Sequence, residues 1–427
     1  MKKSYLLGAL GLLAMASCSQ DETIGVNHDG DEITFSVVTN SATRAADVYC
    51  NNNLPGGFHV SAISDGQSYI NGDDIKKQDG KWVNTDGTRY WPEDAVDFYA
   101  HVNGGTTYQW SVSAGKASAK FENFTVAGQV ANQVDLLYAV KTGQKKPATE
   151  TPVTLNFRHA LSQILFQARN DSKNLYVEIA GVKVVNVGNT NTFTFPSANT
   201  EKHYGGDVDG DHSGYGPTDG VYDPDGDETY EDSEDDPANI TYDGSWGTWN
   251  TLSGGNTTYE IDLSSNAIVK GDGNLVSLTT KNDENKEYSS LALLLLPQTT
   301  TAWVPSTTSP VPTENNIGSY FLVDCKIYNV AGEEYNSESD VCLWGKPQEG
   351  GYTTKELAIP VAFTWEQGKK YVYTLVFGNG NGGYDPDPEE PDPEDPKPVL
   401  VPISYQITVD DFDPISGGDI ETGVPGE

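Results

Sequence analysis

Apolar and polar residues alternate in short runs along this chain. Ile33, Phe35 and Val37 fall on every second position, with polar or small residues between the first two pairs. Ile403, Tyr405, Ile407 and Val409 repeat the pattern against Ser404, Gln406, Thr408 and Asp410. A period of two is the mark of a strand with one buried face. Between these ends the pattern predicts strands at 58–63, 81–83, 96–101, 121–126 and 134–140. A second series follows at 153–157, 164–169, 175–187, 192–195, 259–263, 275–279, 290–296, 320–328, 341–344, 356–361 and 370–377. Turn clusters such as Pro55-Gly56-Gly57 and Asn103-Gly104-Gly105 separate them. Helical periodicity is scarce. Short strands with frequent turn signals predict an all-β chain built of β-sandwiches.

Three stretches interrupt the strands. Residues 143–152 are polar and place a domain boundary between an N-terminal sandwich, 45–147, and a C-terminal one, 148–378. An acidic insert occupies about 203–245. Residues 379–400 are Gly-rich and then rich in Pro and acid, which is the composition of a linker. Its segment 384–398 extends about 45 Å at about 3.1 Å per residue in a polyproline conformation. The strand beyond it, within 401–427, cannot satisfy its backbone alone and must pair with its own body or with another molecule.

Charge narrows the function. The formal net charge is −36, so a phosphate backbone is repelled and nucleic-acid binding is excluded. Lys2 and Lys3 precede an apolar run, 5–16, too short to span a bilayer. The run ends in Met15-Ala16-Ser17-Cys18, which resembles a bacterial lipobox with Cys18 as the lipidated residue. Residues 1–17 are then the signal peptide; the alternative is an ordinary secretory signal with a chance cysteine. Cys325 and Cys342 flank a hairpin whose apparent centre lies between Glu333 and Glu334. That symmetry allows a cross-strand disulfide in an oxidising compartment, against the alternative of two free thiols. Arg44 is the sole Lys or Arg between Lys3 and Lys76, and it sits in small polar residues just behind the first strand.

Several stretches, in order, resemble the fimbrillin (Mfa-like) family, the subunits of Bacteroidales type V pili. They are "ITFSV" with "TRA" at 33–45, "RYWPEDAVDFYAHV" at 89–102, "DLLYAV" at 135–140, "VTLNFRHALSQILFQARN" at 153–170, "KKYVYTLVF" at 369–377 and "ITVDDF" at 407–412. The resemblance implies two tandem transthyretin-like β-sandwich domains with a C-terminal donor-type strand on the acidic linker. It implies export as an outer-membrane surface lipoprotein, tethered by a lipid on Cys18, with the acidic Ser19-Gln20-Asp21-Glu22 as an export tag. It further implies that an arginine-specific surface protease cuts between Arg44 and Ala45 and removes 18–44. The strand of Ile33, Phe35 and Val37 would then leave an apolar groove for a terminal strand from a neighbouring pilin, a case of β-strand addition. Ile403, Tyr405, Ile407 and Val409 carry the matching pattern. The alternatives are that Arg44 is a solvated loop residue and that the terminal strand pairs within its own domain. The runner-up function is an uncut surface lipoprotein: a pilus anchor or tip, or a protein binding a glycan or host ligand.

No cofactor is required by this reading, but the insert raises Ca²⁺, which takes oxygen ligands at alternating positions. Candidate ligands are Asp207, Asp209, Asp211 and Ser213, then Asp223, Asp225, Asp227 and Glu234. Counted from Asp209, position twelve is Gly220 where a bidentate Glu is needed; counted from Asp223, Glu228 replaces the turn glycine. A solvated acidic loop is the other reading. The six histidines show no metal spacing, and there is no nucleophile elbow or P-loop, so no enzyme is expected. His159 is expected to pack beside a strand. Trp246 and Trp249, in "GSWGTWN", form either a sugar-stacking platform or part of a core.

Overall fold

The computed structural model describes residues 32–38, 57–149, 151–200, 245–279, 292–305, 318–332, 335–379, 382–386, 403–411 and 420–422. These contain strands and two single 3₁₀ turns, with no α-helix among them. In chain order the first strands are β1 Phe35–Val38, β2 Gly57–Ser64, β3 Gln67–Gln78, β4 Lys81–Asn84, β5 Val96–Val102, β6 Tyr108–Ser113, β7 Lys116–Thr125, β8 Leu137–Gln144, β9 Val153–Asn156 and β10 Arg158–His159. Next come β11 Ser162–Asn170, β12 Leu175–Val187, β13 Thr190–Thr194, β14 Thr248–Trp249, β15 Thr257–Lys270, β16 Val276–Ser277, β17 Leu293–Leu295, β18 Gln298–Thr299 and β19 Tyr320–Asn329. The last are β20 Val341–Trp344, β21 Lys346–Gln348, β22 Gly351–Thr353, β23 Lys355–Pro360, β24 Thr364–Trp365, β25 Lys369–Phe377, β26 Ile403–Asp411 and β27 Ile420–Thr422.

The first sheet has eight strands in the order β10-β8-β5-β2-β3-β4-β1-β9. Its two outermost strands, β9 and β10, are separated in sequence by Phe157 alone. The sheet must therefore curl until its ends meet, in the manner of a barrel. Alternation then divides its side chains between an inside and an outside. Phe58, Val60, Phe98, Ala100, Leu137 and Leu155 fill the interior. Tyr99, Tyr138 and Val140 point the other way, into a larger core shared with the four-stranded sheet β14-β13-β7-β6.

Among the described residues, the other strands form two two-stranded ribbons, β18-β24 and β21-β22, and two further large sheets. One runs β16-β11-β25-β26-β27, with β17 on β11. The other runs β15-β12-β19-β20, with β23 also on β19. The all-β expectation is met by packed sheets. The boundary expected at 143–152 is not where the sheets part. β9 and β10 lie beyond it yet belong to the first sheet, and β13 and β14 pack on β7.

Of the two alternatives for Cys325 and Cys342, a cross-strand disulfide or two free thiols, the structure has the free thiols. In the β19–β20 ladder Cys342 lies opposite Tyr328, and the place beside Cys325 belongs to Lys355 of β23. Both are free thiols, Cys325 in the core and Cys342 half-buried.

One buried group in the first sheet titrates far from its ordinary value. His101 is 3% exposed and stacks on His59 at 5.2 Å and Tyr108 at 4.0 Å between ring centroids. Burial, and then the neighbouring His59, lower its pKa from 6.5 to about 3. Between those values the unfolded chain binds the proton and the folded one does not. The stability so conferred is complete above pH 6.5 and is lost as pH falls toward 3, by at most about 1.4 kcal/mol per pH unit. Urea unfolding should show this loss between pH 6.5 and 4, and His101→Phe should flatten it. An equal loss in the variant would assign the effect to other groups.

Candidate functional site

The first strand is a stave in the curled sheet. On one side it meets β9 in parallel, with Phe35 beside Val153, Ser36 beside Thr154, Val37 beside Leu155 and Val38 beside Asn156. On the other it meets β4 antiparallel, with Phe35 beside Trp82. Its lead-in is held as well. The Ile33 amide donates to the Arg89 carbonyl at 2.8 Å, the Val153 amide to the Thr34 carbonyl at 2.8 Å, and Glu32 bridges to Tyr90. The Ser36 and Thr154 hydroxyls pair across the parallel ladder at 3.0 Å.

Period two decides which side chains this strand buries. Ile33 and Phe35 are 3% and 6% exposed, and Val37 is half-buried against the same cluster. The Phe35 ring meets Phe58 and Phe98 edge-to-face, with centroids at 6.1 and 5.7 Å. Phe58 also meets Trp82 and Phe157. Removing 32–38 would uncover an aromatic groove between β4 and β9.

The "RYWP" block frames the groove. Arg89 makes a two-pronged contact with Asp73, Nε to Oδ2 at 2.7 Å and Nη2 to Oδ1 at 3.0 Å, which fixes the carbonyl that receives Ile33. The Tyr69 hydroxyl donates to the Tyr90 carbonyl. Trp91 is buried with its ring against Phe98.

The terminal strand is placed on its own chain. β26 runs antiparallel along the whole of β25, from Lys369 beside Asp411 to Phe377 beside Ile403, and β27 pairs with its outer edge. Ile403 is 2% exposed, while Tyr405 and Ile407 are partly buried on the main core. The Tyr405 ring lies 6.2 Å from Phe321 and 6.5 Å from Tyr373. Of the alternatives for this strand, pairing within the chain is the arrangement adopted here.

The linker before it is fastened at its start. Tyr384 and Ala358 exchange backbone hydrogen bonds, each 2.8 Å, and the Tyr384 ring packs on Trp303. Asp385 pairs with Lys355, whose ammonium lies 4.6 Å from the Trp344 ring centroid. A Cβ on Gly383 would meet the Ala358 carbonyl at 2.8 Å, so only glycine allows this approach. No part of this anchor is evident from a composition that reads simply as linker.

Cys18, Arg44, Ala45 and the acidic ligand set Asp207–Glu234 lie outside the described residues. Among the described residues no group of three or more His, Cys, Asp or Glu is arranged to hold a metal. His159 lies within the short strand β10, its Nδ1 3.0 Å from the buried Asp135 carboxylate.

A barrel-like sheet closed by its first described strand and further packed sheets ending in an alternating strand define an all-β protein of multiple packed sheets. The family comparison makes this specific. The fimbrillin-like family model matches residues 23–387, and the chain belongs to that family. As a fimbrillin-like protein it is a pilus or adhesion subunit of the cell surface. No curated protein matches it. Among solved structures it is similar to a candidate cell adhesion protein from Bacteroides uniformis, at 14% identity over 90% of this chain and 99% of that one, with a TM-score of 0.36. A second from Parabacteroides distasonis shows 12% identity over 89% and 100%, with a TM-score of 0.37. The C-terminally truncated tip fimbrial protein Mfa3 from Porphyromonas gingivalis shows 11% identity over 87% and 98%, with a TM-score of 0.28.

The packing around Phe35 generates a stability prediction. Phe35→Ala should destabilise the chain by about 3 kcal/mol or more, as buried aromatic truncations do. Urea unfolding checks this, and a loss below about 1 kcal/mol would mean that the strand contributes little to closure.

Proposed function

We propose that this chain is a structural pilus subunit, exported as a lipoprotein through Cys18, cut between Arg44 and Ala45, and polymerised by strand exchange. The position of β1 carries the reading. It is four residues long, bonded on both edges, packed through Phe35 with Ile33 buried just before it, and followed six residues later by Arg44. A cut there would leave β1 held by noncovalent contacts alone. The released piece would also carry the lipid, so leaving the membrane and opening the groove would be one event.

The incoming strand is that of Ile403, Tyr405, Ile407 and Val409 from a neighbouring subunit. Its alternation matches Ile33, Phe35 and Val37 and exceeds it by one apolar residue. On its own chain it has a full partner in β25 and only the three-residue β27 outside. In the vacated slot it would have β4 on one side and β9 on the other. Apolar burial of about 1.5–3 kcal/mol per side chain favours filling that slot. The sixteen residues 387–402 beyond the Tyr384 anchor give the arm a reach of about 50 Å at about 3.1 Å per residue.

Two experiments test the two halves of this reading. Arg44→Ala should keep the propeptide attached and abolish heat-stable ladders on a denaturing gel; ladders from the variant would remove Arg44 from assembly. Deletion of 401–427 should give processed subunits, with Ala45 first by mass spectrometry, that do not assemble. Normal filaments from the truncation would assign donation to another segment.

A further inference from the structure

A cleft of about 1140 Å³ lies where the two bodies meet. That is above the usual range for small-molecule sites, about 300–1,000 Å³. Its walls come from stretches far apart in sequence: 157–159 at the closure of the first sheet, 246–253 around β14, 297–301 around β18, and the turn 365–369 between β24 and β25. It shares Phe157 with the bed of β1 and is otherwise separate from it.

Trp246 is the feature that needs a reason. It is 44% exposed, and the other seven tryptophans are all buried or half-buried. It is nevertheless held in place. The guanidinium carbon of buried Arg158 lies 4.1 Å from its ring centroid, and Arg158 Nε donates to the Thr200 carbonyl at 3.0 Å. The next residue is pinned from both sides. The Gly247 amide donates to the Tyr138 hydroxyl at 3.0 Å, and the Gly247 carbonyl accepts from Gln367 at 2.6 Å. A Cβ on Gly247 would sit 2.0 Å from the Phe193 ring. Gly368, at φ +68°, leaves room for the rim of the indole: a Cβ there would come within 2.8 Å of Trp246 Cη2. Trp249 is different, since its indole N–H donates to the Ala160 carbonyl at 2.6 Å and its ring lies 5.1 Å from Phe193. Of the two tryptophans, Trp249 is tied to the core and Trp246 is a fixed ring open to water.

The surrounding polar groups are mostly neutral. Thr248, Asn250, Thr251, Thr299 and Thr301 are exposed along the walls, and each side chain both donates and accepts. Glu366 and Lys369, of opposite charge, share one turn. A flat apolar face bordered by hydroxyl and amide groups matches a pyranose ring, which offers C–H bonds on its faces and hydroxyls around its edge. A proline-rich peptide, poor in N–H groups, presents mainly carbonyls that want donors, and a strong anion wants a cluster of cations. Neither fits this border as well.

We propose that the cleft binds a neutral oligosaccharide, with one sugar stacked on the open face of Trp246 and its hydroxyls bonded to the Thr and Asn side chains of the walls. This rests on the cleft alone and does not depend on cleavage at Arg44 or on strand exchange.

An array of immobilised neutral oligosaccharides, probed with the soluble full chain lacking its signal peptide and lipid, tests it. At least one glycan should be retained. Affinity for it should fall about tenfold or more, at least about 1.4 kcal/mol, in Trp246→Ala. Thr299→Arg, at an exposed position lining the cleft, should give a similar loss by filling it, with an unchanged melting temperature. The proposal is overturned if no arrayed glycan binds, or if binding survives both substitutions. It is also overturned if the cleft instead takes a synthetic peptide of residues 385–398, bound by the parent and lost in both variants. That result would assign the cleft to a proline-rich segment.

Discussion

A sheet whose two outermost strands are one residue apart in the chain has no freedom to stay open. β9 and β10 flank Phe157, β10 is paired with β8, and among the described strands β9 has its one ladder partner in β1. The ring of strands is therefore only as closed as β1 makes it. Everything inside depends on that closure: Phe35 against Phe58 and Phe98, Phe157 against Phe58, and Val153 and Leu155 buried beside them. The strand contributes few residues, but it joins two edges that would otherwise both be exposed.

This geometry makes the first strand unlike a typical N-terminal edge strand. An edge strand can fray and leave a sheet one strand narrower. A strand between two others leaves two unpaired ladders and an apolar trough when it goes. Such a trough has two stable outcomes, which are collapse or occupation by another strand of the same alternation. The terminal strand has that alternation and, on its own chain, a weaker second edge. In the proposed assembly, strand exchange would trade a largely one-sided ladder for a two-sided slot.

What could be read in the sequence follows from how strictly each strand alternates. β1 and β26 were legible because apolar residues take every second position along each. β3 was missed. Its buried Ile70 and Ile75 are five apart, an odd spacing, because Gly72 at φ +80° is skipped in the ladder with β2 and shifts the parity. The cysteine pairing failed for a related reason. Symmetry about Glu333 assumes an even hairpin, whereas the ladder sets Cys342 against Tyr328, three residues from Cys325. The polar stretch 143–152 marks a turn, and parallel pairing with β1 draws β9 back across it. The cleft was hidden because its walls lie more than two hundred residues apart in sequence, although the "GSWGTWN" stretch already carried its aromatic signal.

The closure of the first sheet also bears on the cleft, through three consecutive residues. Phe157 packs inside the curled sheet, Arg158 lies beneath Trp246, and His159 pairs with buried Asp135. Their positions follow from β9 on one side and β8 on the other. Among the described strands β9 has its one ladder partner in the β1 slot, so an empty slot would loosen the backing of Trp246 as well as the barrel. Any strand that fills the slot, whether the chain's own or a donated one, restores both. A chain that gave up β1 without replacing it would lose its aromatic platform along with its closure. If the subunit is cut and assembled as proposed, the cleft would be best formed before the cut or after a donated strand fills the slot, and least so between them.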